Sequence, residues 1–425
     1  MAVNHVGRGS AAVELPLARR ILAFAFVPFV SLISPLLVLP ILASVSSTGQ
    51  WAALAIGQSI GGVASLMVAY GWPLNGPVEI ARAVNLEVGI SYYESLVTRI
   101  FVAGAALVPV GLLCWAVAPA GHLGLTLCMA IANALFGLTP NWAAIGLGDA
   151  RSIIVYDVIP RLALTMLSVP LLIYGMPVLV YPAVMIIGSA TNVLLFSSRK
   201  IKPIRSRDSV FRVLQRRLTS QLPAASTTVA AGIYANGSLL IVGVAATVEQ
   251  TALMASADRL YKVGLFSVMA LTNAFQAYVV HEDVAESRRR RRTALWWHLM
   301  LAVVGLAGLA TVGPVASRLM FGAEFTPNRW VFAWFGAAFA MLCLSSYLSR
   351  LVILPLAGAS GLLLSTLVGA AVGVPLLAIF SAQRGAVGAA LGLAIGELTV
   401  VVVQIALAIR TSSSVRHSGS TRASG

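Results

Sequence analysis

Six ionisable side chains stand inside long apolar stretches of this chain, and they are where chemistry could be done. Asp157 and Arg161 are four residues apart with the acid first, Asp258, Arg259 and Lys262 crowd into five residues, and Glu397 stands alone. A charge in hydrocarbon costs about 2.5 to 3.5 kcal/mol on insertion scales, so each group must be paired, reach the interface or serve a function. The four-residue spacing lets Asp157 neutralise Arg161, and Asp258 neutralise Lys262, on one helix face. Arg259 is then surplus positive charge. A diphosphate would be met well by its planar fork, with Lys262 as a point charge. Two readings of Arg161 stand side by side: a cation facing a central cavity, or half of a self-neutralised pair, with Pro160 loosening the backbone beside it. Arg259 and Lys262 pose the same choice between an anion site and an interhelical network. Glu397 would either take up a proton or sodium ion during an exchange cycle or neutralise one of the cations, and Asp157 and Asp258 are the other coupling or counter-ion candidates.

Other chemistries lack their parts. None of the lysines Lys200, Lys202 and Lys262 follows a glycine-rich turn of the kind that cradles ATP. His281 and Glu282 lack the second histidine of a helical zinc site, and His281 and His298 read as membrane-edge residues. The expected outer loops are short and hold few carboxylates, chiefly Glu249 and Glu324, which argues against an enzyme. Cys114, Cys128 and Cys343 all fall in apolar runs and read as small core residues, so neither a disulfide framework, a metal nor a cofactor is expected.

The elements that must position these groups are membrane helices. The 425 residues are 59% apolar and only 10% charged, and the mean hydropathy of +0.90 excludes a water-soluble domain. Apolar runs long enough to cross a bilayer follow one another near 21–45, 50–71, 94–118, 122–143, 153–174 and 178–196, then near 220–246, 250–280, 295–313, 329–354, 360–380 and 387–409. This is an all-α integral membrane protein of about twelve spans. Its parts are a cytoplasmic segment 1–20, a six-helix bundle 21–197, a basic cytoplasmic linker 198–219, a second six-helix bundle 220–409 and a disordered cytoplasmic tail 410–425.

The net charge of +15 does not point to nucleic acid, because the cations cluster at the ends of apolar runs. The linker, the run Arg288 to Arg292 and the tail all fall on one side, which the positive-inside rule makes the cytoplasm together with both termini. The outer loops carry only Arg318, Arg329 and Arg384. Arg99 and Arg350, near cytoplasmic helix ends, are expected to snorkel to the interface. Gly57 and Gly61, and Gly388, Gly392 and Gly396, are spaced for close helix packing.

Several segments resemble one family. They are Tyr70-Gly-Trp-Pro-Leu-Asn-Gly-Pro-Val-Glu-Ile-Ala-Arg82, Thr139-Pro-Asn-Trp-Ala-Ala-Ile-Gly-Leu-Gly148, Ala255-Ser-Ala-Asp-Arg-Leu-Tyr261, Phe321-Gly-Ala-Glu-Phe325 and Gly385-Ala-Val-Gly-Ala-Ala390. In their order and spacing they are similar to the Wzx-type oligosaccharide flippases, the polysaccharide-transport branch of the multidrug/oligosaccharidyl-lipid/polysaccharide (MOP) exporter superfamily. The resemblance implies a V-shaped pair of six-helix bundles in the bacterial cytoplasmic membrane. It further implies alternating access that turns undecaprenyl-diphosphate-linked oligosaccharide to the outer leaflet for O-antigen, exopolysaccharide or capsule. Arg161, Arg259 and Lys262 become candidate contacts for the diphosphate, and a polysaccharide polymerase and chain-length regulator become expected partners. A cation-coupled small-molecule exporter of the same fold, or a non-catalytic subunit of a glycan-assembly complex, are the competing readings.

Overall fold

The computed structural model describes residues 37–422 apart from Asn85 and residues 280–282. The segment 1–20, the first part of span one, His281 and Glu282 lie outside the described residues. The described residues are helical and hold no strand, as hydrocarbon demands of a chain that must satisfy its own backbone.

Helix α1 (37–45) ends span one, and α2 (Thr48–Ala69) opens span two with Ser47 as a side-chain cap. Span two breaks at Tyr70 and Gly71, both left-handed at φ 45° and 75°, and resumes as α3 (Trp72–Arg82). The glycine carries the turn where a side chain would collide: a β-carbon on Gly71 would lie 2.9 Å from that of Ala224. Span three is α4 (Leu86–Val117). Span four is α5 (Leu123–Ala134), a 3-10 turn at Leu135–Leu138 and α6 (Asn141–Gly146). Span five is α7 (Ala150–Ile153), a π-turn at Ile154–Val158 and α8 (Ile159–Ile173), and span six is α9 (Val180–Arg199).

The second half runs through α10 (Val210–Asn236), α11 (Ser238–Ala245), α12 (Val248–Tyr278), α13 (Val284–Thr311), α14 (Gly313–Phe321) and α15 (Arg329–Tyr347). A π-turn at Leu348–Ile353 leads into α16 (Leu354–Arg422). Although helical throughout, α16 is not one rod. Its Gly385 has φ 56°, a β-carbon on Gly392 would lie 2.5 Å from the Leu377 Cα, and Gln404 reaches Ser365 at 3.4 Å. Residues 39 apart on a straight helix would be separated by about 58 Å, so α16 folds back on itself as spans eleven and twelve.

Among the described residues, eight stretches are long and apolar enough to cross a membrane, and the last of them, Gly361–Arg410, is that hairpin. Spans seven and eight fall short on composition because α10 beyond Arg217 is rich in Ser, Thr and Gln and α12 carries Asp258, Arg259 and Lys262. Polar helices of this kind survive in a membrane by facing protein or a water-filled passage. The arrangement is consistent with six spans on each side of the linker. Two boundaries move. Helix α10 starts at Val210, capped by Ser209, well inside the stretch read as linker, and α16 is helical through Arg422, over the residues expected to form a disordered tail. Continuing an existing helix adds one bond per residue without a new nucleus.

Two of the apolar clusters frame the charged groups. On the face opposite the basic clusters, residues of α1, α2, α12, α15 and α16 share one apolar core that crosses between the halves, with Leu42, Trp51, Met254 and Phe332 fully buried. Around Trp72, Tyr92, Trp142 and Phe196 a separate cluster fills the basic end of the first half. The glycine spacing does what the sequence suggests: β-carbons on Gly57 and Gly61 would overlap the Thr126 and Ala130 carbonyl oxygens of α5. Gly61→Leu is therefore expected to abolish the folded peak in size-exclusion chromatography of the detergent-extracted protein. Gly104→Leu, at a position with nothing within 4 Å, is expected to leave it intact.

Candidate functional site

Two cavities gather the charged groups. The first lies within the second half, between α12, α15 and the two arms of α16. It holds about 340 Å³ and is lined by Asp258, Lys262, Arg350 and Glu397 with Tyr261 and Gln404. Lys262 pairs with Asp258 at 2.8 Å, the partnership expected from their spacing. Arg350 donates to the Asn273 side chain at 3.0 Å. It stands in the π-turn Leu348–Ile353, whose extra residue widens the helix and re-aims the side chains around it. Arg350 was expected only to reach the interface; the turn makes it a wall of this cavity. Glu397 is buried in the opposite wall.

Arg259 lies between the halves. Its guanidinium stacks 3.6 Å above the ring of Trp51, whose indole donates to Ser256 at 3.1 Å and stacks on Phe325. Only 8% of Arg259 is exposed, its Nη1 is buried without a hydrogen-bond partner, and among the described residues it makes no ion pair. Nearby, Thr48 donates to Glu324 at 2.6 Å, so the halves are in contact on this face, and within the second half the Ala386 amide donates to Gln250 at 2.9 Å.

Arg161 sits elsewhere, in the first half. It forms an ion pair with Asp157, which also accepts from Asn141 at 2.7 Å, and it lies over the Phe136 ring at 4.5 Å. Arg161, Arg259 and Lys262 thus do not converge on one cavity. Of the two readings of Arg161, the self-neutralised pair is the one seen in this conformation.

Arg99 corrects an expectation. It does not snorkel: it is fully buried, and its Nη1 donates to the Gly137 and Thr139 carbonyls at 3.1 and 3.0 Å. The 3-10 break in span four frees those carbonyls, and a buried guanidinium is what satisfies them.

The second cavity, about 980 Å³, opens on the basic face between α3 and α4 on one side and the linker and α10 on the other. Its centre is an ion network across the two halves that sequence reasoning missed. Arg217 grips Glu79 with two bonds, 3.1 and 2.6 Å, and reaches Glu94 with its Nε at 2.6 Å. Arg216 pairs with the other oxygen of Glu94 and with Asp208 at 2.9 Å. Ser91 completes the coordination of Glu79 at 2.6 Å. Asn75 donates to Gln221 at 2.9 Å, and the Tyr70 hydroxyl donates to the Leu218 carbonyl at 3.2 Å. The available signal was a pair of carboxylates in apolar surroundings, Glu79 and Glu94, matched by two adjacent arginines at the end of the basic stretch. The arginines had been read as a topology signal alone.

The linker itself is tied to the first half. The Ile204 amide donates to the Gly89 carbonyl at 3.0 Å, and Lys200 pairs with Asp149, which also accepts from the amide and hydroxyl of Ser152. Burial by itself raises the Asp149 pKa, but the bonds from Lys200 and Ser152 outweigh it and hold the carboxyl below its ordinary value. A depressed carboxylate contributes stability above its unfolded-state pKa and loses it as pH falls through the lowered value. This anchor is therefore expected to hold down to about pH 4. Asp149→Asn removes it at neutral pH, where faster amide hydrogen exchange in residues 200–209 is the expected result.

No protein-family model matches the sequence, and no curated protein matches it. Solved structures do. A multidrug resistance MATE family transporter of the MOP superfamily, in an inward-facing conformation, aligns over 91% of this chain and 98% of its own with a TM-score of 0.65 at 16% identity. The chain has the fold of the MOP-superfamily transporters. The lipid II flippase MurJ, in an inward closed conformation, aligns over 91% of this chain and 87% of its own, with a TM-score of 0.69 at 14% identity. A MOP-superfamily transporter from Pyrococcus furiosus aligns over 94% and 95%, with a TM-score of 0.53 at 13% identity. In the MOP fold as built here, both cavities border the passage between bundles or the interior of the second bundle, and Arg259 lies on the seam.

Proposed function

We propose that the protein is a flippase that carries undecaprenyl-diphosphate-linked oligosaccharide across the cytoplasmic membrane by alternating access, for surface polysaccharide synthesis. The observation that carries this reading is Arg259. A guanidinium on the seam between two bundles, with an aromatic face beneath it, an unused donor and no ion pair among the described residues, is a standing demand for an anion. A diphosphate supplies one, with geometry suited to the planar fork. The sugar would occupy the space between the bundles while the prenyl tail stays in lipid. Likeness in fold to a lipid II flippase and to multidrug exporters supports transport as the class of activity and leaves the substrate to the chemistry of the seam.

The carboxylates of the second-half cavity favour ion coupling. Asp258 and Glu397 line one cavity of about 340 Å³, with Lys262 paired to Asp258 beside them. Glu397→Gln is expected to make transport insensitive to the ion gradient in proteoliposomes, with unchanged gradient dependence reducing it to a counter-ion.

The deciding experiment is gene deletion. Loss of surface polysaccharide with accumulation of undecaprenyl-diphosphate-linked oligosaccharide on the cytoplasmic leaflet is expected. Normal surface glycan together with new drug sensitivity would point instead to small-molecule export.

A further inference from the structure

Helix α13 begins in a run of cations and continues as a lipid-facing wall. Of Arg288 to Arg292, two are engaged: Arg290 pairs with Glu286 at 2.9 Å and lies over the Tyr278 ring, and Arg291 donates to Ser287 at 3.3 Å. Arg289 approaches Glu286 only to 3.9 Å, and its side chain is 83% exposed. Arg288 and Arg292 are exposed and make no ion pair with a described residue.

Four-residue steps carry Arg288 onto Arg292, Trp296 and Met300, which puts the free cations and the apolar wall on one helix face. Trp296, Trp297, Met300, Val303 and Val304 are all exposed, and with Leu299 they enclose a groove of about 460 Å³. An aliphatic helix face would present a smooth surface to lipid, whereas two adjacent indoles shape an open groove along this one. Indole rings settle at headgroup level. Arg292 lies about 6 Å and Arg288 about 12 Å from Trp296 toward the basic face by helical rise, the depth of lipid phosphates.

We infer that this groove is a binding site for an anionic diacyl phospholipid of the leaflet on the basic face. One acyl chain lies along Trp296, Met300 and Val303, and the phosphate is held by Arg288 and Arg292. A zwitterionic lipid would fill the groove but carry its own cation to the two arginines, so charge is what selects the occupant. The site is independent of what the protein transports, because it lies on the outer wall of the second bundle.

The test is quenching of tryptophan emission by acyl-brominated phosphatidylglycerol and, separately, acyl-brominated phosphatidylcholine, on the full-length protein in mixed micelles. Subtracting the signal of the Trp296→Phe/Trp297→Phe variant isolates the groove. Half-quenching is expected at about tenfold lower phosphatidylglycerol than phosphatidylcholine. Arg288→Gln/Arg292→Gln is expected to erase that preference while keeping the size-exclusion profile, and native mass spectrometry should show its phosphatidylglycerol adducts falling to the level of phosphatidylcholine. Equal quenching by both lipids in the unmodified protein, or a preference that survives loss of both arginines, would overturn the site and leave an ordinary lipid contact.

Discussion

Arg259→Ala will lower glycan translocation by about a hundredfold or more at unchanged protein level, the size expected when one partner of a buried charge contact is removed. The loss should fall on transport rather than on folding. Among the described residues Arg259 makes no ion pair and leaves one donor unused, so its removal orphans no carboxylate there, and Trp51 keeps its bond to Ser256 and its stacking on Phe325. Arg259→Lys should retain an intermediate activity, because the charge remains while the two-pronged grip on a diphosphate is lost. Assay of lipid-linked oligosaccharide reaching the outer leaflet of proteoliposomes, beside a thermal melt of each variant, separates the outcomes. If alanine lowers the melting temperature and leaves the transport rate of folded protein untouched, Arg259 is only a brace for Trp51, and the anionic-substrate reading loses its main support.

Glu94→Gln will open the basic-face mouth. Glu94 is 2% exposed and accepts from Arg216 and Arg217, both from the other half. Charge-assisted bonds of this kind contribute about 1.5 to 3 kcal/mol each, so losing one carboxylate charge should shift the closed-to-open ratio about tenfold or more. The check is a cross-linking trap. Asn75 and Gln221 touch across the mouth, and cysteines at both positions, in a background with Cys114, Cys128 and Cys343 replaced, should be bridged rapidly by a short bifunctional thiol reagent. Adding Glu94→Gln should slow cross-linking in proportion to the fall in the closed population. An unchanged rate would mean that the Tyr70–Leu218 contact and the Arg217–Glu79 pair suffice to keep the mouth shut. Because Glu94 is buried, salt should have little influence on it, whereas the half-exposed pair of Arg216 with Asp208 should weaken with ionic strength.

The helical membrane fold was legible because lipid imposes a length on every apolar run. Spans seven and eight read as apolar runs like the others, in spite of the charges that α12 carries. The turn between spans eleven and twelve was readable from the gap before Gly385 even though the helix is continuous through it. Side-chain partners followed where they are local, as for Asp157 with Arg161 and Asp258 with Lys262, since helical geometry alone brings those pairs together. The rest needed tertiary structure. Nothing near Arg99 in sequence says that span four breaks into a 3-10 turn and exposes two carbonyls, and nothing in the linker says that Arg216 and Arg217 will meet carboxylates more than a hundred residues away. For the same reason three cations that looked like one site are distributed over the first bundle, the seam and the second bundle.

The glycines at 57 and 61 bear on how such a molecule can flex. With the backbones of α2 and α5 in direct contact there, the two helices act as a single beam that resists bending and shear, since close-packed interiors transmit strain rather than absorb it. Any rocking of the first bundle is then passed along that beam to the breaks at its end, the left-handed step at Tyr70 and Gly71 in span two and the 3-10 turn in span four. The left-handed step abuts Leu218 and Ala224, within one or two turns of the arginines of the mouth. The elbow and the latch are adjacent, so a small swing at one is a large displacement at neither, and the bundle moves as a lever about its own gate.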